Sequence, residues 1–284
     1  MHLADDVAPG GLARVGARPR LGAYLREVLA RRQFILSLAQ FRIEADNQRN
    51  RLGMLWVVLQ PVLEASVYGL VFGLLLAGSR PPNFVEFLVI GVFMFQFFSS
   101  TFAAGSRSIT SNIALLQSLS FPRMTLPISL VVQRLLLFMP TIGIMLLLVM
   151  ATGNKPHVNW LLLIPLVTIF FFFNAGLTLI TARLTVHVRD LKQLLPFITR
   201  LLFYTSGLFF SVEERFKDVP AVLRVADFQP IHEFLTLARG ILLDGETYEV
   251  KMEYWLYTSV WAFGMFAVGV VFFWVAEERY GRAD

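Results

Sequence analysis

The chain contains no cysteine. That excludes a disulfide framework, a thiolate nucleophile and any metal site built on thiolates. Histidine is scarce as well. His2, His157, His187 and His232 stand in separate segments, without the spacing of metal ligands. Charge is thin: Asp, Glu, Lys and Arg make up 16% of 284 residues, against about a quarter in soluble domains. No Gly-x-x-x-x-Gly-Lys-Ser/Thr loop occurs, so the backbone cradle for nucleotide phosphates is missing and this chain is not its own ATP-driven motor. Ser and Asp residues form no nucleophile elbow. The expectation is a non-catalytic protein with no cofactor or metal of its own and no nucleic-acid partner.

What the chain has in quantity is apolar surface, at 56% of residues, with 27 Phe. A chain this apolar uses lipid as part of its solvent. About 20 apolar residues cross the ~30 Å hydrocarbon core. Runs of that kind lie at about Leu52–Ala77, Phe84–Ala104, Leu126–Ala151, Trp160–Thr181, Leu194–Val212 and Tyr254–Ala276. Turn chemistry separates them, as at Gly78-Ser79-Arg80-Pro81-Pro82 and Thr152-Gly153-Asn154-Lys155-Pro156. The fold class expected is therefore an all-α polytopic membrane protein with six transmembrane helices. Residues 1–51 form a tail with an interfacial helix, and residues 52–284 form the six-span domain. The first long apolar run begins only near Leu52, behind many arginines, so no cleavable signal peptide is expected. With six spans both termini share a side. Placing them in the cytoplasm puts 18 of the 25 basic residues inside, as the positive-inside rule demands.

Three segments outside the spans carry information. In Leu21–Ala39, Leu21, Tyr24, Leu25, Val28, Ile35, Leu36 and Ala39 recur at helical spacing among Arg26, Arg31 and Arg32. This reads as a basic amphipathic helix in the cytoplasmic interface, either a topological anchor or a surface that admits substrate. Between the second and third spans, Ile109, Ile113, Leu115, Leu116 and Leu119 make an apolar stripe on a short helix over Ser106–Leu119, which Phe121-Pro122 stops. That stripe docks on a cytoplasmic partner or packs on its own bundle. The outer connection of about 213–253 carries apolar patches at Ala221–Val225 and Phe234–Leu243, broken by Pro220, Pro230 and Gly240. It forms either re-entrant helices dipping into the outer leaflet between spans five and six, or an extracellular cap.

Four short motifs, in order along the chain, resemble one family. They are Leu52-Gly53-Met54-Leu55-Trp56 with Gln60-Pro61, Ser120-Phe121-Pro122-Arg123 with Leu126-Pro127, Val188-Arg189-Asp190-Leu191-Lys192, and Gln229-Pro230 ahead of Ala238-Arg239-Gly240. The family is that of the polysaccharide-export ABC permeases (Wzm/TagG-like), which export O-antigen, teichoic acid, capsule or galactan. The resemblance implies a homodimer in the bacterial plasma membrane, with two copies of a separate ABC ATPase holding ATP and Mg on the cytoplasmic face. The cargo it implies is a polyprenyl-diphosphate-linked polysaccharide. Ile109, Ile113, Leu116, Arg189 and Asp190 would then couple to the ATPase. Where the family often has a Lys/Arg–Tyr cluster, this chain has Glu44-Ala45-Asp46-Asn47, which leaves Arg42, Arg49 and Arg51 as candidates to meet the lipid diphosphate.

Sugar rings stack on aromatic faces. Trp56 and Tyr68 in the first span, and Phe203, Tyr204, Phe209 and Phe210 in the fifth, are candidates for a glycan path; the alternative is ordinary packing. Intramembrane charges are rarer. Glu64 lies about 18 Å into the first span at 1.5 Å per residue. Arg134 and Arg200 enter the third and fifth spans. Such charges should face the bundle interior, either paired or lining a wet path. The rival readings are an ABC permease for a drug or lipid, and a membrane glycosyltransferase or polymerase.

Overall fold

The computed structural model describes residues 20–48, 51–76, 78–188, 190–243, 248 and 252–277. Among them there are helices and no strands. Two helices precede the bundle, α1 (Leu21–Ala30) and α2 (Arg32–Gln48), with a break at Arg31. Five helices are long and apolar enough to cross a membrane. They are α3 (Leu55–Leu75), α4 (Phe84–Gly105), α6 (Thr125–Ala151), α7 (Leu163–His187, entered through a 3₁₀ turn at Val158–Leu162) and α12 (Met252–Val275). The chain is a multi-pass membrane protein, built around α4. That helix is buried on nearly every side, including Phe87, Phe93, Phe97 and Phe98.

The predicted span at Leu194–Val212 departs from expectation. It forms α8 (Leu191–Thr205), 15 residues or about 22 Å long. The helix stops because Gly207 takes φ +69°, a left-handed conformation that ends helices; a Cβ there would stand 2.8 Å from Val212 Cγ2. The chain then runs on through the buried residues Leu208 and Phe209. Two ties show how far this segment reaches. At its start, Lys192 Nζ donates to Thr110 Oγ1 at 2.9 Å, just beyond the last turn of α4. At its end, the carbonyls of Gly207 and Phe87 accept from one arginine, and Phe87 lies in the first turn of α4. So Leu191–Leu208 runs alongside nearly the whole length of α4.

Lipid tails are as apolar as leucine, so close packing and hydrogen bonds, more than water exclusion, hold such helices together. The tightest contact, between α7 and α12, depends on two glycines. A Cβ at Gly269 would stand 2.5 Å from the Gly176 carbonyl oxygen, and one at Gly176 would overlap the backbone of Met265. In α3, Pro61 leaves the Val57 carbonyl without its intrahelical N–H, and the Thr141 hydroxyl of α6 reaches it at 3.5 Å.

One end of the bundle, the basic end, carries α1, α2, a 3₁₀ turn at Thr110–Asn112, and α5 (Ile113–Ser118). The helix expected over Ser106–Leu119 is thus broken into shorter pieces. Tyr24, Val28, Ile35 and Ala39 of α1 and α2 are buried against the bundle, while Leu29, Leu36 and Phe41 are exposed. Tyr24 Oη donates to Glu277 Oε2 at 2.7 Å and accepts from the Met124 N–H, and Arg123 N–H donates to Glu277 Oε1 at 3.0 Å. Burial pushes the Glu277 carboxyl up against the pull of these donors. The node fastens α1 to the start of α6 and the end of α12.

At the opposite end lie α9 (Val212–Arg215), α10 (Pro220–Asp227) and α11 (Pro230–Leu242). Pro220 and Pro230 open their helices, where a missing N–H costs nothing. α11 packs into the bundle. Eleven of its 13 residues are buried, with Phe234 stacked 4.3 Å from Phe170.

Candidate functional site

A groove of about 830 Å³ runs among α3, α4, α6 and α8, with the end of α2 at its mouth. Helical spacing explains how each wall is presented. On α3 the lining side chains are Trp56, Gln60, Glu64 and Tyr68, at steps of four, with Val57 beside them. On α8 they are Lys192, Leu195, Pro196, Thr199, Arg200, Phe203 and Tyr204, again one face. Besides Val92 and the rings of Phe93, Phe95 and Phe97, α4 contributes Gln96, Ser99, Ser100 and Ala103 at i, i+3, i+4 and i+7, a stripe of small and polar residues on a Phe-rich helix. α6 adds Arg134, Leu137, Phe138 and Thr141.

Polar groups dominate toward the basic end, where Asp46, Asn47, Ser106, Arg107 and Lys192 stand at the mouth. Glu64 Oε1 accepts from Gln60 Nε2 at 2.9 Å. Among the described residues, no cation lies within 4.0 Å of the Glu64 carboxylate. The buried Nε of Arg134 has no hydrogen-bond partner among them either. Deeper in, the walls turn aromatic. Tyr68 and Phe203 have ring centroids 5.2 Å apart, Phe203 and Phe95 also 5.2 Å, and Phe203 and Tyr204 5.3 Å. Hydroxyls, amides, charges and aromatic rings thus share one cleft.

Glu64, Arg134 and Arg200 all line this groove, as do Trp56, Tyr68, Phe203 and Tyr204; Glu64 and Arg134 are half-buried, whereas Arg200, expected to face the interior, is exposed. Phe209 and Phe210 do not. Phe209 is 1% exposed and stacks on Phe72 at 3.7 Å, behind the lining rings, while Phe210 packs on Phe216. The reason is the end of α8: Phe209 follows the left-handed Gly207 and so leaves the groove face of the helix. Arg42 is engaged away from the groove, with its two Nη atoms on Ser129 Oγ (3.2 Å) and Asn112 Oδ1 (3.3 Å). Burial there lowers its pKa. Arg51 is exposed at the start of α3, and Arg49 lies outside the described residues.

At the basic end the apolar stripe divides. Ile109 is 3% exposed in the bundle's own core, whereas Ile113 is 39% exposed and Leu116 half-buried. Asp190 is exposed just before α8, and Arg189 lies outside the described residues. The Lys192–Thr110 bond joins the two connections expected to act together.

Sequence reasoning passed over Gln96, Ser99, Ser100 and Thr199, and noted Gln60 only as part of a motif. Their signal is present in the 96–103 spacing, where small and polar residues recur at helical steps among phenylalanines. It also passed over the role of α11, whose partners lie far away in sequence.

A family model described as "ABC-2 type transporter" matches residues 33–243. The chain is 29% identical over 256 residues to the O-antigen export system permease protein RfbA of Myxococcus xanthus, covering 90% of this chain and 94% of that protein. It is 26% identical over 234 residues to the protein of the same name from Klebsiella pneumoniae, covering 81% and 86%. With the polysialic acid transport protein KpsM of Escherichia coli the identity is 24% over 236 residues, covering 80% and 87%.

Proposed function

The chain belongs to the ABC-2 type transporter family, and we propose that it is the permease subunit of an ATP-driven exporter for a polyprenyl-diphosphate-linked polysaccharide. The observation that carries this reading is the groove itself: a polar mouth leading to clustered aromatic faces, on four helices of one copy. Stacking on ring faces tolerates changes of sugar, so a chain of sugars slides over them with small barriers, as other polymers do on aromatic platforms.

In this reading Leu191–Leu208 is the sixth crossing, since it runs alongside most of α4 between the Lys192 tie and the Phe87 tie. Six crossings and the arginine-rich N-terminal segment put both termini and the basic end in the cytoplasm of a bacterium. α1 and α2 lie in the inner interface with Leu29, Leu36 and Phe41 toward lipid. α11 is re-entrant from the outer side. Arg51 and Arg49 meet the lipid diphosphate, a role for which Arg42 is less free. Ile113, Leu116, Arg189 and Asp190 couple to a separate ATPase. Ile109, turned inward, supports that surface from behind.

Two copies complete the path. α3 and α8 both line the groove, and both leave apolar faces uncovered. These are Leu63, Val67, Leu70 and Leu74 on one, and Leu194, Phe197, Ile198 and Leu201 on the other. A second copy covers them and closes the groove.

Two measurements test the reading. The affinity-purified chain should bring down a stoichiometric ABC ATPase, and its depletion should leave a lipid-linked glycan on the cytoplasmic side. Purification without an ATPase, together with an unchanged surface glycan after depletion, overturns it. ATP hydrolysis stimulated by a drug or phospholipid but not by lipid-linked glycan assigns another cargo.

A further inference from the structure

Three consecutive carbonyls at the end of α8 are taken by side chains of a single distant helix. His232 Nδ1 lies 3.2 Å from the Ser206 carbonyl oxygen, which can only accept. Arg239 Nη1 donates to Gly207 O at 2.9 Å and Nη2 to Leu208 O at 3.2 Å. Both donors belong to α11. The same guanidinium donates through Nε to Phe87 O at 3.2 Å and lies 3.4 Å over the Phe87 ring. It is 3% exposed, and Gly91 makes room for it: a Cβ there would stand 2.5 Å from Nη2.

This arrangement has a physical reason. Carbonyls beyond a helix end have no following turn to accept from, and at membrane depth water cannot replace it. Gly207's left-handed turn aims two of them at one guanidinium, whose planar fork of donors fits the pair. The chain emerging from the clamp is Phe209, whose ring stacks on Phe72 and lies 5.5 Å from Tyr68 and 5.1 Å from Phe203. Tyr68 and Phe203 line the groove. What holds Ser206–Leu208 therefore holds the aromatic cluster at the far end of the groove.

We propose that α11 clamps the end of α8, that Arg239 is the positioning residue of that clamp, and that the clamp sets the position of the Tyr68–Phe72–Phe203–Phe209 cluster that cargo meets at the end of the groove. The cargo contact rests on the groove being the export path; the clamp itself does not.

Because the chain has no cysteine, single cysteines report on it cleanly. Leu208→Cys probes the clamp, and Leu179→Cys, also 0% exposed, probes the rest of the bundle. In the solubilised full chain, Leu208→Cys should react with a maleimide slowly. Arg239→Gln should speed that reaction about tenfold or more, since even one charged hydrogen bond lost from the closed state shifts local opening by about that factor. Gly91→Ala, which keeps the arginine but crowds it, should act in the same direction, and Arg239→Lys should fall between. Leu179→Cys should not change in any of these backgrounds. With the ATPase bound, Arg239→Gln should leave ATP hydrolysis running while glycan exported per ATP falls. Unchanged labelling at Leu208→Cys, a matching rise at Leu179→Cys, or unchanged export per ATP each overturns the proposal. If the labelling behaves as expected but the parent protein exports no glycan, the clamp stands and the cargo assignment falls.

Discussion

Replacing Tyr204 and Phe209 by alanine, one at a time, separates path from packing within a single stretch of chain. The Tyr204 ring is 55% exposed, lines the groove and touches Phe203 edge-on at 5.3 Å. Its loss removes little buried surface, so the fold should lose no more than about 1 kcal/mol, the range of exposed positions. If sugars stack on it, the transition for each sliding step loses about 1 kcal/mol of ring contact, and export slows about fivefold. Phe209 is the opposite case, 1% exposed with rings of Phe72, Tyr68 and Phe203 around it. Deleting a ring so enclosed costs about 3–5 kcal/mol. That is a large share of the ~5–15 kcal/mol that holds a typical domain folded. The assay is export rate per molecule of assembled complex, beside thermal unfolding in detergent. Tyr204→Ala should melt like the parent and export slowly; Phe209→Ala should melt early and yield little complex. A Tyr204→Ala protein exporting at the parental rate, alone and combined with Trp56→Ala, refutes the stacking argument. A Phe209→Ala protein of parental stability that fails to export shows that this ring reaches the path after all.

Ile113→Asp should release the ATPase while the permease stays folded, whereas Ile109→Asp, at a 3% exposed position, should lower the folded yield; co-purification and melting curves tell them apart. Gly269→Val should force α7 and α12 apart at the cost of about 1–3 kcal/mol and a lower melting temperature. Gly143→Val, with nothing within 4 Å of its Cβ, is the matched control. Glu233 is fully buried, neither carboxylate oxygen has a hydrogen-bond partner among the described residues, and burial together with the Asp227 charge pushes it up to about 8. Between about 4.5 and 8 the unfolded chain ionises this group and the folded one does not. Stability therefore falls as pH rises through that window. A Glu233→Gln protein should show a flatter melting temperature from pH 5 to 8, and an unchanged slope refutes the assignment.

The membrane class, the helical fold and five of the spans were legible from hydropathy and turn residues, because span length and backbone satisfaction in lipid are local requirements. Glu64 and Arg134 were singled out for a related reason, that a charge within a span is costly unless it is paired or wet, and both line the groove half-buried; Arg200 lines it too but stays exposed, which that rule did not anticipate. Local pattern could not tell that the apolar run at Leu194–Val212 would stop as a helix at Thr205. The stop depends on Gly207 turning left-handed beneath Val212 and His232, and on carbonyls that α11 satisfies from about 30 residues away. Nor could periodicity decide which way Phe209 or Ile109 faces, since an apolar side chain satisfies a core, a lipid face and a docking surface equally well. That choice was made by tertiary packing: α8 ends, Phe209 swings behind the groove onto Phe72, and Ile109 sinks into the core beneath α5.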